Sequence, residues 1–109
     1  MAIKLTLLKS GELLISDAKE IATNEDAIEP YAYILDHPHV VLTSNREKDD
    51  GQIDVMFRPW ILISKDTQVV VPTDWVVTVI DPIDSIKQMY IDKSKTFTEP
   101  TFEVNKDGN

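Results

Sequence analysis

The sequence predicts an all-β domain: a small, strongly bent five-stranded barrel followed by one C-terminal α-helix. Three observations carry this. Short apolar segments, several of them alternating, recur at close spacing with turn residues between them. Prolines interrupt three of these segments, at Pro38, Pro59 and Pro72, where a ladder donor is lost and a bend or bulge is the usual outcome. Helix signals occur in one stretch alone, near the C-terminus.

The first strand is "IKLTLLK", with Ile3, Leu5 and Leu7 on one face and Lys4 and Thr6 on the other. Ser10-Gly11 follows as a tight turn, in which glycine accepts positive φ at little cost. "ELLISDAKEI" returns as the second strand and runs into the polar connection "ATNEDAIEP". "YAYILDHPHVVLTS" is the third strand, bent at Pro38. "NREKDDGQ" is a charged hairpin loop, and "IDVMFRPWILIS" the fourth strand. After the turn "KDTQ", "VVVPTDWVVTVI" supplies one or two last strands, pivoting at Pro72-Thr73-Asp74. Its second half is apolar on both faces. A strand with one wet face would alternate, so "WVVTVI" needs cover from the helix or from a neighbouring subunit.

The helix is expected over about residues 82–93, with Asp81 as its cap, Pro82 in the first helical position and Asp84 in the first turn. Ile83, Ile86 and Tyr90 form its apolar stripe, with Met89 beside them. The domain therefore covers residues 1–93, and residues 94–109 read as a polar, mobile tail.

Composition narrows the function classes. A chain of 109 residues supports one core, hiding roughly 65% of the surface of the unfolded chain. There is no cysteine, which removes disulfides, thiolate metal sites and cysteine nucleophiles, and which fits a reducing cytoplasm. No apolar run approaches the ~20 residues of a membrane helix, and "MAIKLTLLKSGELL" lacks a secretory pattern. The expected location is the cytoplasm. The net charge is −8, half of it in Asp17 to Glu29. That balance disfavours simple binding of nucleic acid through a basic face and suits a protein partner.

Nothing reads as catalytic. Nucleophile elbow, phosphate-binding glycine loop and recognised acid pairs are all missing, so no enzyme and no cofactor are expected. The side chains that stand out are His37 and His39, which flank Pro38 behind Asp36. Three readings remain open for them: part of a zinc site, a plain bend, or a loop that stacks on or hydrogen-bonds a ligand. With neither a third histidine nor a cysteine, zinc is the weakest, and no metal is expected. Trp60 and Trp75 lie beside a proline or a turn and read either as packing or as stacking platforms for a base. Arg58 stands inside a strand and needs a carboxylate or a phosphate. Arg46 and Lys48, by contrast, sit among acids in the wet loop.

The hairpin "IKLTLLKSGELLIS" resembles the start of Sm-like (LSm) domains. "DHPHVVL" is similar to their first motif, with His39 nearest the place of the motif's Asn. "VVVPTDWVV" matches the position of the second motif, and "FRPW" is similar to the bacterial branch of the family. The resemblance spans residues 3–80. The ending "WVVTVIDPIDSIKQMYIDK" is similar to that of small proteins encoded by marine cyanophages, which implies a viral protein working in the host cytoplasm.

The family resemblance implies a non-catalytic protein that assembles into a homo-oligomeric ring of roughly five to seven subunits. The last strand of one subunit would pair with the fourth strand of the next. Single-stranded RNA, or DNA, would be held by His37, His39, Arg58, Trp60 and Lys65, in RNA or DNA processing. The rival expectation is a structural or protein-interaction module that uses its acidic surface.

Overall fold

The computed structural model describes residues 1–22, 30–45 and 53–97. The central part of the acidic connection, the hairpin loop with Arg46 and Lys48, and the tail beyond residue 97 lie outside the described residues. The elements are β1 (Ile3–Leu8), β2 (Leu13–Ile21), β3 (Ala32–Asn45), β4 (Ile53–Pro59), β5 (Gln68–Pro72), β6 (Val76–Ile80) and α1 (Asp84–Ser94), with a 3-10 turn at Thr73–Trp75 between β5 and β6.

The strands form one antiparallel sheet, in the order β4-β3-β2-β1-β6, with β5 also paired to β3. The β1–β2 turn closes as its glycine requires: Gly11 has φ 92° and donates to the Leu8 carbonyl at 2.9 Å. The expected last segment divides in two at the 3-10 turn, which gives six strands rather than five. Among the described residues no ladder joins β4 to β6, so the sheet is open at both ends and not closed into a barrel.

Strand β3 organises the rest. One edge pairs with β2 along most of its length. The other edge is shared: residues 32–36 pair with β5 and residues 39–45 with β4. The ladder with β2 steps from Ile15↔His39 to Asp17↔Asp36, so β3 carries one extra residue there. This is a bulge at His37-Pro38. Proline has no N–H to give to a ladder, and a bulge is where a strand tolerates one. Segment 60–67 leaves the sheet at the same point and returns in β5. The result is a fork in the outer edge of β3.

Leu14 and Ile15 are neighbours on β2 and point to opposite faces. Leu14 packs with Leu8, Leu35, Val40 and Val71; Ile15 packs with Ile3, Phe57 and Tyr90. Each such side chain, fully buried, contributes about 1.5–3 kcal/mol. Helix α1 covers the Ile15 face through Tyr90, Ile86 and Ile91.

The start of the helix differs from the sequence expectation. Helix α1 begins at Asp84, and Ile83 occupies the cap position without a side-chain hydrogen bond. Asp81 does not cap: its carboxylate accepts a hydrogen bond from the Lys4 ammonium, which holds its pKa below the usual range. Ile83 therefore lies before the helix and is exposed, and Ile91 takes its place in the buried stripe. The helix does not cover β6, where Val77 and Ile80 are 59% and 50% exposed.

Candidate functional site: the fork at His37-Pro38-His39

The bend is built from the backbone outward. His37 has φ 50°, the left-handed region. That conformation costs a non-glycine residue on the order of 1–3 kcal/mol and persists where its surroundings fix it. Here they do. The His37 N–H donates to the Thr67 carbonyl at 2.6 Å. Its carbonyl accepts from the Tyr90 hydroxyl at 2.9 Å and from His39 Nδ1 at 2.8 Å. Tyr90 also reaches the Asp36 carbonyl at 3.1 Å. The Pro38 carbonyl accepts from the Trp60 N–H at 3.0 Å. Segment 60–67 is thus tied at its two ends to two successive residues of β3.

These bonds set the protonation of the groups involved. A carbonyl only accepts, so the His39 proton sits on Nδ1. Burial lowers the pKa of His39 more than its hydrogen bond to His37 raises it, and Lys93 lowers it further. At neutral pH His39 is an uncharged ring in the wall of the site. Burial, then the charges of Asp36 and Asp17, push the Tyr90 hydroxyl upward. It stays protonated and keeps donating to the bend. His37 lies about a third exposed, its Nδ1 3.1 Å from an Asp36 carboxylate oxygen.

Aromatic rings fill the space between the bend and the helix. Phe97, three residues beyond the end of α1, stacks on His37 with centroids 4.6 Å apart and planes 18° apart. It also stacks on His39, at 4.9 Å and 13°. Tyr90 meets both His39 and Phe97 edge-on, at 6.0 Å and 5.7 Å.

Beside these rings opens a cavity of about 400 Å³. Its walls are the bend, the segment that follows Pro59, and the end of the helix. Four of the five residues singled out from the sequence line it: His37, His39, Trp60 and Lys65. Trp60 is positioned by its indole N–H, which donates to Glu12 at 3.2 Å. Arg58 does not join them. It stands opposite Val40 on β4, on the other face from Phe57 and Pro59, and is exposed. Trp75 is half-exposed in the 3-10 turn, away from the cavity.

The structure adds Lys93 and Phe97 to the lining. The sequence places Lys93 at the end of the expected helix and Phe97 in the expected tail. The one sequence signal for Phe97 was a single large ring in the otherwise polar stretch "SKTFTEP". The lining carries two lysines, Lys65 and Lys93, against one carboxylate, Asp66. Two further carboxylates, Asp36 and Glu12, touch the rings of His37 and Trp60, so the site holds both signs of charge on a chain whose net charge is −8. Among the described residues no three histidines or carboxylates converge in a way that could hold a metal ion, and no helix is long and apolar enough to cross a membrane. The sequence matches no protein-family model and no curated protein.

Proposed function

We propose that this protein is a non-catalytic, self-associating Sm-like module that binds single-stranded nucleic acid, RNA in the first place, at the cavity beside the fork. The observation that carries the reading is the composition of that cavity. The rings of His37, His39 and Trp60 line one cavity together with Lys65 and Lys93. An unpaired base offers a π face to stack and a phosphate to neutralise, and single-strand binders combine these two kinds of contact. Chemistry that would make or break a bond needs an activated nucleophile or a tuned acid–base pair. The depressed His39 is instead hydrogen-bonded to a backbone carbonyl, and it serves as wall.

Self-association is supported by the ends of the sheet. In this chain no strand pairs with the outer edge of β4 or of β6 among the described residues. The apolar side chains of Val77 and Ile80 flank the second of these edges. Joining β6 of one copy to β4 of the next would satisfy both edges, and repetition would make a weak site per subunit add up. The strand order, with the last strand on β1 and the fourth at the far end, is compatible with such a seam. A binding titration tests the reading: fluorescence anisotropy of a labelled oligo-U strand at 50 and 200 mM salt. The expected result is saturable binding that weakens with salt. No binding at low salt removes the nucleic-acid reading and favours a protein partner for the acidic surface.

A further inference from the structure

Phe97 differs in kind from the other rings at the fork. Tyr90 is 2% exposed and ties two backbone carbonyls, so it is a fixed wall. Phe97 is half-buried, stands beyond the last helical residue, and has no polar atom with which to fasten its side chain. Its backbone N–H reaches the Ser94 carbonyl at 3.3 Å, and Thr96 is held by the Lys93 carbonyl. What keeps the ring in place is stacking on two imidazoles that lie nearly parallel to it, at 13° and 18°, with an edge-on contact to Tyr90 of the buried cluster behind them. Those imidazole faces are the ones that the nucleic-acid reading offers to a base. Lys93, four residues before Phe97, lines the same cavity, as does Lys65.

We propose that Phe97 is a removable occupant of a base-sized slot, and that a nucleobase takes its place on His37 and His39 with its phosphate toward Lys93 and Lys65. This rests on the nucleic-acid reading and adds to it a competition within the chain. The segment after α1 holds the slot closed with a ring of its own, and ligand binding displaces it. A competing internal ring lowers apparent affinity by the fraction of molecules in which the slot is open.

The experiment compares the full chain with Phe97→Ala, Phe97→Leu and Phe97→Trp. The probes are uridine monophosphate and a labelled oligo-U strand, and the imidazole Cε1–H signals of His37 and His39 are followed by NMR. If Phe97 blocks the slot, Phe97→Ala and Phe97→Leu bind both probes at least roughly tenfold more tightly than the parent. Phe97→Trp, which keeps a stacking ring, binds no more tightly than the parent. In the parent, saturating nucleotide shifts both imidazole signals as one ring replaces another. Phe97→Leu keeps apolar bulk without a π face and serves where Phe97→Ala loses its folded melting transition. Equal binding by parent and variants overturns the occupant and leaves the nucleic-acid reading standing. Weaker binding in Phe97→Leu also overturns it, because Phe97 is then part of the contact. Absence of binding in every variant overturns both.

Discussion

At the fork, an irregular stretch of backbone is covered from within the chain; along β6, apolar side chains are left bare. The fork combines a bulge, a positive φ and a gap between β4 and β5, and each of its exposed liabilities has found a partner. The His37 N–H and carbonyl are bonded, the Pro38 carbonyl is bonded, and Tyr90 and Phe97 shield the rings. Strand β6 pairs with β1 on one side, with one extra residue at Val77 where the register shifts between Leu7 and Leu8, and Val77 and Ile80 remain largely in water. The helix that follows β6 crosses to the Ile15 face and spends its apolar stripe there. The irregular geometry of the fork is thus satisfied by the chain itself, whereas the outer edge of β6 has no strand partner among the described residues.

The comparison breaks most visibly at β6. Light scattering at micromolar concentration is expected to give a mass several times that of one chain, and Val77→Lys to return it to one chain with the melting transition intact. A parent that is monomeric contradicts the seam. At the fork, Tyr90→Ala should cost about 3–5 kcal/mol in a denaturant titration, as large-to-small changes at buried aromatics do. Tyr90→Phe keeps the ring and isolates the hydroxyl, with a loss of about 0.5–1.5 kcal/mol.

Binding gives a smaller and more specific effect. Lys65→Ala and Lys93→Ala should each reduce the slope of log affinity against log salt by about 0.7, one phosphate contact on a single strand. Arg58→Ala, outside the cavity, should leave that slope unchanged. The smallest effect is the pH dependence of stability. The folded pKa of His39 lies below its unfolded value of 6.5, so below that pH the unfolded state binds more protons than the folded one. The stability that His39 contributes is complete above pH 6.5 and is lost as pH falls through the folded pKa. Urea midpoints at pH 7.5 and pH 5.5 should show the loss, and His39→Phe should flatten it. A midpoint that rises on acidification contradicts the burial of a neutral imidazole.

Much of the fold was legible because it depends on local rules. Alternation in "IKLTLLK", the glycine turn and the two-sided "WVVTVI" each follow from neighbours in sequence, and Pro38 announced its bulge. What local rules do not contain is pairing. Nothing in "YAYILDHPHVVLTS" says that its outer edge is divided between two partners, and so the fork was not foreseen. The same limit explains Asp81, a good cap by type, whose carboxylate is drawn instead to Lys4, 77 residues away in sequence. At the site, His37, His39 and Trp60 were found from residue type and proximity to prolines, and Lys65 came only with the family resemblance. Arg58 was grouped with them as a cation inside a strand, next to Pro59-Trp60, in need of a carboxylate or a phosphate. Position 58, however, faces away from 57 and 59, and the chain turns out of the sheet at 60. Phe97 and Lys93 join the site only because α1 lays its C-terminal end against β3, a tertiary fact.

The two hydrogen bonds that suspend segment 60–67 from His37 and Pro38 separate that segment's length from the integrity of the sheet. Its endpoints are fixed by adjacent residues of β3, whatever runs between them. A longer excursion pays only the slow logarithmic cost of closing a larger loop, about 0.6 kcal/mol per doubling. Replacing the residues between Trp60 and Thr67 is therefore expected to reshape the cavity wall while the strands beneath keep their register.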